Sequence, residues 1–101
     1  MTTVIKRVVT TEDTTPVGIL SIHKITEWLN HAVIIYNKTK PHHINSFKAK
    51  MASIEFHKPV FLDDVLIFKC DNICQDHSHS VLVKVLSNNT TVIESTYTHC
   101  H

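Results

Sequence analysis

Histidine is unusually frequent in this 101-residue sequence, with nine copies. Six of them stand in close pairs, His42 with His43, His77 with His79, and His99 with His101. Imidazole is a ready metal ligand, but none of these pairs has the pair-and-pair spacing on tight turns that closes a structural zinc site. They read as surface histidines at turns and at a chain end, and no residue is assigned to a metal or a cofactor. A different pattern joins His23, Thr26 and Asn30, which are three and then four residues apart, the spacing that aligns side chains along one stripe of a helix. His23, an imidazole, has the chemistry of a base. The stripe is either part of a site or the polar border of a buried face. Cys70 and Cys74, four apart in a strand-like run, share a face and read as core or interface thiols. Lys48, Lys50 and Lys58 suit an anion, and equally a solvated strand face.

These groups need elements to hold them. Thr3 to Thr10 is rich in β-branched residues and reads as a strand. Thr11 to Leu20, broken by Pro16 and the sole glycine, Gly18, reads as a loop. From Ser21, a plausible N-cap, to Lys38 the apolar positions Ile22, Ile25, Leu29, Ala32, Val33 and Tyr36 recur at helical spacing. Trp28 and Ile35 widen this stripe and Ile34 falls outside it, so a broad surface such as a sheet must cover the helix. Beyond Pro41 only strand-like runs follow, over Asn45 to Phe56, Asp64 to Cys74, Ser80 to Leu86 and Thr91 to His99. Ser87-Asn88-Asn89-Thr90 is a hairpin turn, because asparagine tolerates positive φ. With short connections the sequential strands are expected to be antiparallel neighbours. The fold class is therefore α+β, one long helix against one face of a curved antiparallel sheet, in a single domain spanning residues 1–101.

Composition narrows the function classes. Apolar residues make up 43% of the chain, enough for a core, and a net charge of +1 gives no field to attract nucleic acid. A single glycine excludes the Gly-rich phosphate loops of nucleotide-binding folds. The longest apolar runs, such as Ala32 to Ile35 and Val65 to Phe68, are far too short for a membrane span. The first residues lack the basic-then-apolar order of a secretory signal, so the mature chain is expected to begin where the gene does. Three cysteines, Cys70, Cys74 and Cys100, form an odd set that suits reduced thiols and a cytoplasmic location. The glycosylation sequons at Asn37, Asn88 and Asn89 then carry no consequence.

Three stretches resemble a known family. Gly18-Ile-Leu-Ser-Ile-His-Lys-Ile-Thr-Glu-Trp-Leu-Asn-His-Ala32 is similar to the start of the central helix in hotdog-fold acyl-CoA thioesterases, with Gly18, Leu20, Lys24, Ile25, Glu27, Trp28, Leu29 and Ala32 in register. Phe56-His-Lys-Pro-Val-Phe-Leu-Asp-Asp-Val-Leu-Ile-Phe68 resembles the family's second signature through Lys58, Pro59, Val60, Asp64 and Phe68. Ser80 to Val85 looks like the strand that follows a Gly-x-x-Ser turn there. The resemblance implies a hotdog fold, an acyl-CoA or coenzyme A ligand, and a homo-oligomer of at least two chains with the site at the subunit boundary.

Residue by residue, it places Asn30 at the family's catalytic acid and Thr15 at its water-positioning asparagine. A carboxamide cannot take up a proton, which leaves His23 as the candidate base and Asn30 as a group that holds water. Gly18, Ser21 and Ile22 would meet the acyl group at the helix start, where free N–H groups polarise a carbonyl. Ile22 and His23 replace the family's paired glycines and crowd that approach, and Asp63 replaces a further glycine. Lys58 would meet the phosphates of coenzyme A, and Ser80 would contribute to the binding surface. The implied function is hydrolysis or binding of acyl-CoA thioesters. The alternative is a catalytically impaired hotdog that binds acyl-CoA or a protein partner.

Overall fold

The computed structural model describes residues 1–39, 49–75 and 78–99. The three histidine pairs, Lys48, Cys74 and Cys100 lie outside the described side chains. Strand β1 (Thr2–Val8) leads through a short 3-10 turn (Thr11–Asp13) to helix α1 (Ile22–Lys38). Four strands follow, β2 (Ala49–Phe56), β3 (Val65–Gln75), β4 (Ser78–Ser87) and β5 (Thr90–His99). They form one antiparallel sheet in the order β1-β3-β4-β5-β2.

Alternation along the strands sends Leu66, Phe68 and Cys70 of β3, Val81, Val83 and Val85 of β4, and Ile93 and Tyr97 of β5 to one buried face. Onto that face α1 lays Ile25, Trp28, Leu29, Ala32, Val33 and Tyr36, the stripe at three-and-four spacing. Burying a side chain of the size of Leu29 or Phe68 completely contributes about 1.5–3 kcal/mol, so this single layer carries most of the stability. The Trp28 ring meets Phe68 edge-on at 6.4 Å, and the Arg7 guanidinium lies 5.2 Å from the Trp28 ring, which closes the layer at the β1 side. Between β4 and β5, Asn88 (φ 52) and Asn89 (φ 63) both adopt the left-handed conformation that a two-residue hairpin requires.

Two expectations need correction. The strands β3, β4 and β5 are sequential neighbours, but β2 pairs with β5 and not with β3. The segment between Phe56 and Val65 is no hairpin, because its backbone is bonded elsewhere. The Leu20 N–H donates to the Val60 carbonyl at 2.7 Å, and the Leu62 N–H to the Gly18 carbonyl at 3.2 Å. The Asp63 N–H donates to the Val9 carbonyl at 2.9 Å. The connection thus crosses the start of the helix and delivers β3 beside β1. Ile22 is the second correction, since it continues the apolar stripe yet is 69% exposed. It stands on the first turn, past the region of α1 that the sheet covers.

Candidate functional site

The approach to α1 is built from a tight loop. The Gly18 N–H donates to the Thr15 carbonyl at 2.9 Å and the Thr15 N–H to the Ile19 carbonyl at 2.8 Å. Pro16, with its φ already fixed, suits the turn between them. Gly18 (φ 82) occupies a backbone region that other residues rarely adopt, while no atom lies within 4 Å of where a Cβ would be. The glycine therefore serves the turn and not a close approach. Ser21 ends the loop as N-cap, its N–H donating to the Asp13 carbonyl at 2.9 Å. Asp13 is itself held by the Thr10 N–H at 3.0 Å and the Thr10 hydroxyl at 2.8 Å. Burial works against its ionisation, but these hydrogen bonds, with the charges of Lys24 and Arg7, keep its carboxyl below the ordinary range.

The Ser21 side chain makes no cap hydrogen bond, so among the described residues the first turn of α1 lacks an N-cap side-chain acceptor. Beside this turn opens a cleft of about 360 Å³. One wall is Ile19, Leu20, Ile22 and Ile25, from the loop and helix start. The other is Phe56 at the end of β2, Val60 in the connection and Ile93 of β5, with His57 and Lys58 as its polar members. The first two stretches of the family resemblance, 36 residues apart at Leu20 and Phe56, face each other across it. Apolar walls beside N–H groups that the Ser21 side chain leaves uncapped can seat a molecule with a hydrocarbon part and a carbonyl or anionic oxygen.

Two turns further along α1 lies a second polar feature. The Tyr97 hydroxyl donates to Asn30 Oδ1 at 2.6 Å. Tyr97 is buried, and burial together with the neighbouring Cys70 raises its pKa, so it stays protonated and donates. Burial also pushes the Cys70 thiol up to about 12, leaving it a core group facing the Ala32 carbonyl at 3.9 Å and not a nucleophile. The carboxamide oxygen of Asn30 is thus committed to Tyr97.

The predicted residues occupy distinct places. Ile22 and Lys58 line the cleft. Ser21 and exposed His23 flank Ile22 at the helix start, and Thr15 and Gly18 form the turn before it. No hydrogen bond among the described residues joins His23 to Asn30, and Thr26, between them, donates its hydroxyl to the Ile22 carbonyl at 2.9 Å. Ser80 pairs with Ile73 and Thr98 on the sheet face opposite the helix, since its neighbour Val81 points inward. Tyr97 was legible only as a member of the strand-like run Thr91 to His99, and nothing in the order of residues linked it to Asn30. A further group, Glu55, His57 and Glu94, is assembled by the pairing of β2 with β5. Its only sequence signal is the i, i+2 spacing of the first two.

No protein-family model matches the chain, and no curated protein matches it in sequence. Solved structures do. A hexameric thioesterase from Yersinia pestis superposes with a TM-score of 0.79 at 18% identity, covering 98% of this chain and 85% of that one. A thioesterase from Thermus thermophilus, solved with coenzyme A and zinc, gives 0.75 at 15% identity, covering 93% and 74%. A hexameric broad-specificity acyl-coenzyme A thioesterase gives 0.76 at 16% identity, covering 98% and 78%. The chain therefore has the hotdog fold of these thioesterases, one helix packed on a five-stranded antiparallel sheet. At such identities the likeness carries the fold, and the chemistry rests on the site.

Proposed function

We propose that this chain is a thioesterase-like hotdog protein that binds acyl-CoA thioesters at a boundary between its own copies. The observation that carries the reading is the apolar cleft opening directly beside the first turn of α1, where Ser21 leaves the N–H groups uncapped. A thioester carbonyl held against the N–H groups of Ile22 and His23 is polarised by them and by the helix dipole. Its hydrocarbon chain lies along Ile22, Ile25 and Phe56, and Lys58 at the rim meets the phosphates of the coenzyme A part. Partnership with a second copy is supported by exposed Ile19 and Ile22 in the cleft, by exposed Val17, Phe61 and Leu62 in the segments that lead to it, and by β2 standing at the sheet edge among the described residues. It is also in keeping with the hexameric assemblies of two of the structural neighbours.

Hydrolysis requires water to attack the carbonyl carbon as its proton passes to a base, and the C–S bond to break with the proton returned to sulfur. In this reading His23 is the base at the helix start, and Asn30, two turns away on the same helix, holds a water for a carbonyl bound at the helix start of a second copy across the boundary. The alternative is a binder that turns over slowly or not at all, and it is favoured by one specific observation. Asn30 is an amide whose oxygen already accepts from Tyr97, so it cannot assist a water as a carboxylate does. Thiol release from a panel of acyl-CoAs separates the two, and a thermal shift on adding free coenzyme A tests binding itself. Turnover abolished by His23→Ala supports the enzyme. A thermal shift without turnover supports the binder. The absence of both removes the ligand and leaves only the fold.

A further inference from the structure

We propose that Glu55, His57 and Glu94 form a binding site for a divalent transition-metal cation of the Zn²⁺ class at the rim of the cleft. The β2–β5 register sets Glu55 directly opposite Glu94. Both point to the sheet face away from α1, because the next pair in the register, Phe56 with Ile93, belongs to the helix side. His57 follows two residues after Glu55 and so returns to the carboxylate side, its backbone N–H anchored to the Val92 carbonyl at 2.8 Å.

The distances fit a shared ion better than they fit direct contact. His57 Nε2 lies 3.6 Å from Glu94 Oε1 and 3.8 Å from Glu55 Oε2, too far for hydrogen bonds. Two donors bound to one tetrahedral zinc at bond lengths near 2.0–2.1 Å stand about 3.4 Å apart. The three candidate ligand atoms all lie within 4.8 Å of one another, so side-chain rotation that draws the farthest pair in by up to about 1.4 Å closes them onto one cation. Charge points the same way. Like charges directly opposite on neighbouring strands repel, and Lys84, across from Glu94 on β4, answers only one of the two. An imidazole nitrogen in the set favours Zn²⁺ and its transition-metal relatives over Mg²⁺ or Ca²⁺. Three protein ligands leave a coordination position for water or an anionic oxygen, and the side chains of His57 and Glu94, 41% and 33% exposed, leave the ion a way in. The proposal does not depend on the acyl-CoA reading.

The test is calorimetric titration of Zn²⁺ into the chelator-stripped full chain, its His57→Ala variant and an E55Q/E94Q double variant. Both variants keep the three histidine pairs, so weak binding there is common to all three samples. The native protein is expected to bind one Zn²⁺ at least tenfold more tightly than either variant, and to gain melting temperature from Zn²⁺ that the variants do not gain. Without metal the E55Q/E94Q protein should melt at or above the native temperature, because the facing charges are gone. Superimposable isotherms for all three proteins would overturn the site. Equally tight binding of Mg²⁺ would overturn it too, since the imidazole would then play no part.

Discussion

The two ends of α1 have the same apolar pattern and opposite surroundings. From Ile25 to Tyr36 the stripe is sealed against the sheet, chiefly β1, β3 and β4, with Leu29 and Ala32 wholly inaccessible. In the first turn Ile22 continues the stripe but meets an open cleft. An apolar residue in the sealed part contributes by excluding water within one chain. The same type of residue in the open part contributes only when something arrives to cover it, so the pattern alone does not separate stability from function.

The largest expected effect tests that contrast directly. Leu29→Ala should lower the unfolding free energy by about 2–5 kcal/mol, through lost burial and a cavity the sheet cannot close. Ile22→Ala should change it by no more than about 0.5 kcal/mol in a monomer while weakening the thermal shift given by an acyl-CoA. Urea unfolding measures the first quantity. If Ile22→Ala costs as much as Leu29→Ala at high protein concentration and little at low, the open end is sealed by a second copy, which sharpens the comparison.

Next in size is Asn30→Asp. A carboxylate there accepts from the Tyr97 hydroxyl and has oxygen capacity left for a water, so acyl-CoA hydrolysis should rise by about a hundredfold or more. An unchanged rate in a variant that still binds coenzyme A would place the reacting carbon away from Asn30. Tyr97→Phe is smaller again. It removes one hydrogen bond to an exposed amide and should cost about 0.5–1.5 kcal/mol in urea unfolding.

Two weaker effects concern the segments that frame the cleft. Asp63 (φ 71) sits in the left-handed region where the resembling family has glycine. Asp63→Gly should raise stability by at most about 1 kcal/mol, the relief of strain being offset by a freer unfolded chain. Asp13 gives a pH dependence of definite sign. Its carboxyl pKa is lowered in the folded protein, so its contribution is complete above the ordinary carboxylate range and is lost as pH falls through the folded value. Comparing the denaturation midpoints of native and Asp13→Asn protein from about pH 5 to about pH 2 isolates it, with a small difference at pH 5 that vanishes in acid.

Local features were legible because local rules govern them. The spacing of Ile25, Leu29, Val33 and Tyr36 marked the helix and its buried face. The alternation of Val81, Val83 and Val85 marked a core strand, and the Asn88-Asn89 pair marked its turn. The neighbourhood of β2 was not legible, because a sequential-strand rule counts residues, and the connection after Phe56 spends its hydrogen bonds on Val9, Gly18 and Leu20 instead of folding back. Of the candidate residues, Ile22 and Lys58 stood on stretches that could be matched in sequence, and both line the cleft.

The sequence by itself determined which segments are helix and strand and which side of each is apolar, because those properties depend on residues within a few positions of one another. Only the tertiary structure decided which polar groups meet. Asn30 finds Tyr97 and Glu55 finds Glu94 through strand register, at separations of 67 and 39 residues. Register is set by the whole inward-facing set of side chains at once, since a slip by one residue would turn every valine of β4 outward, and no short stretch of chain holds that information.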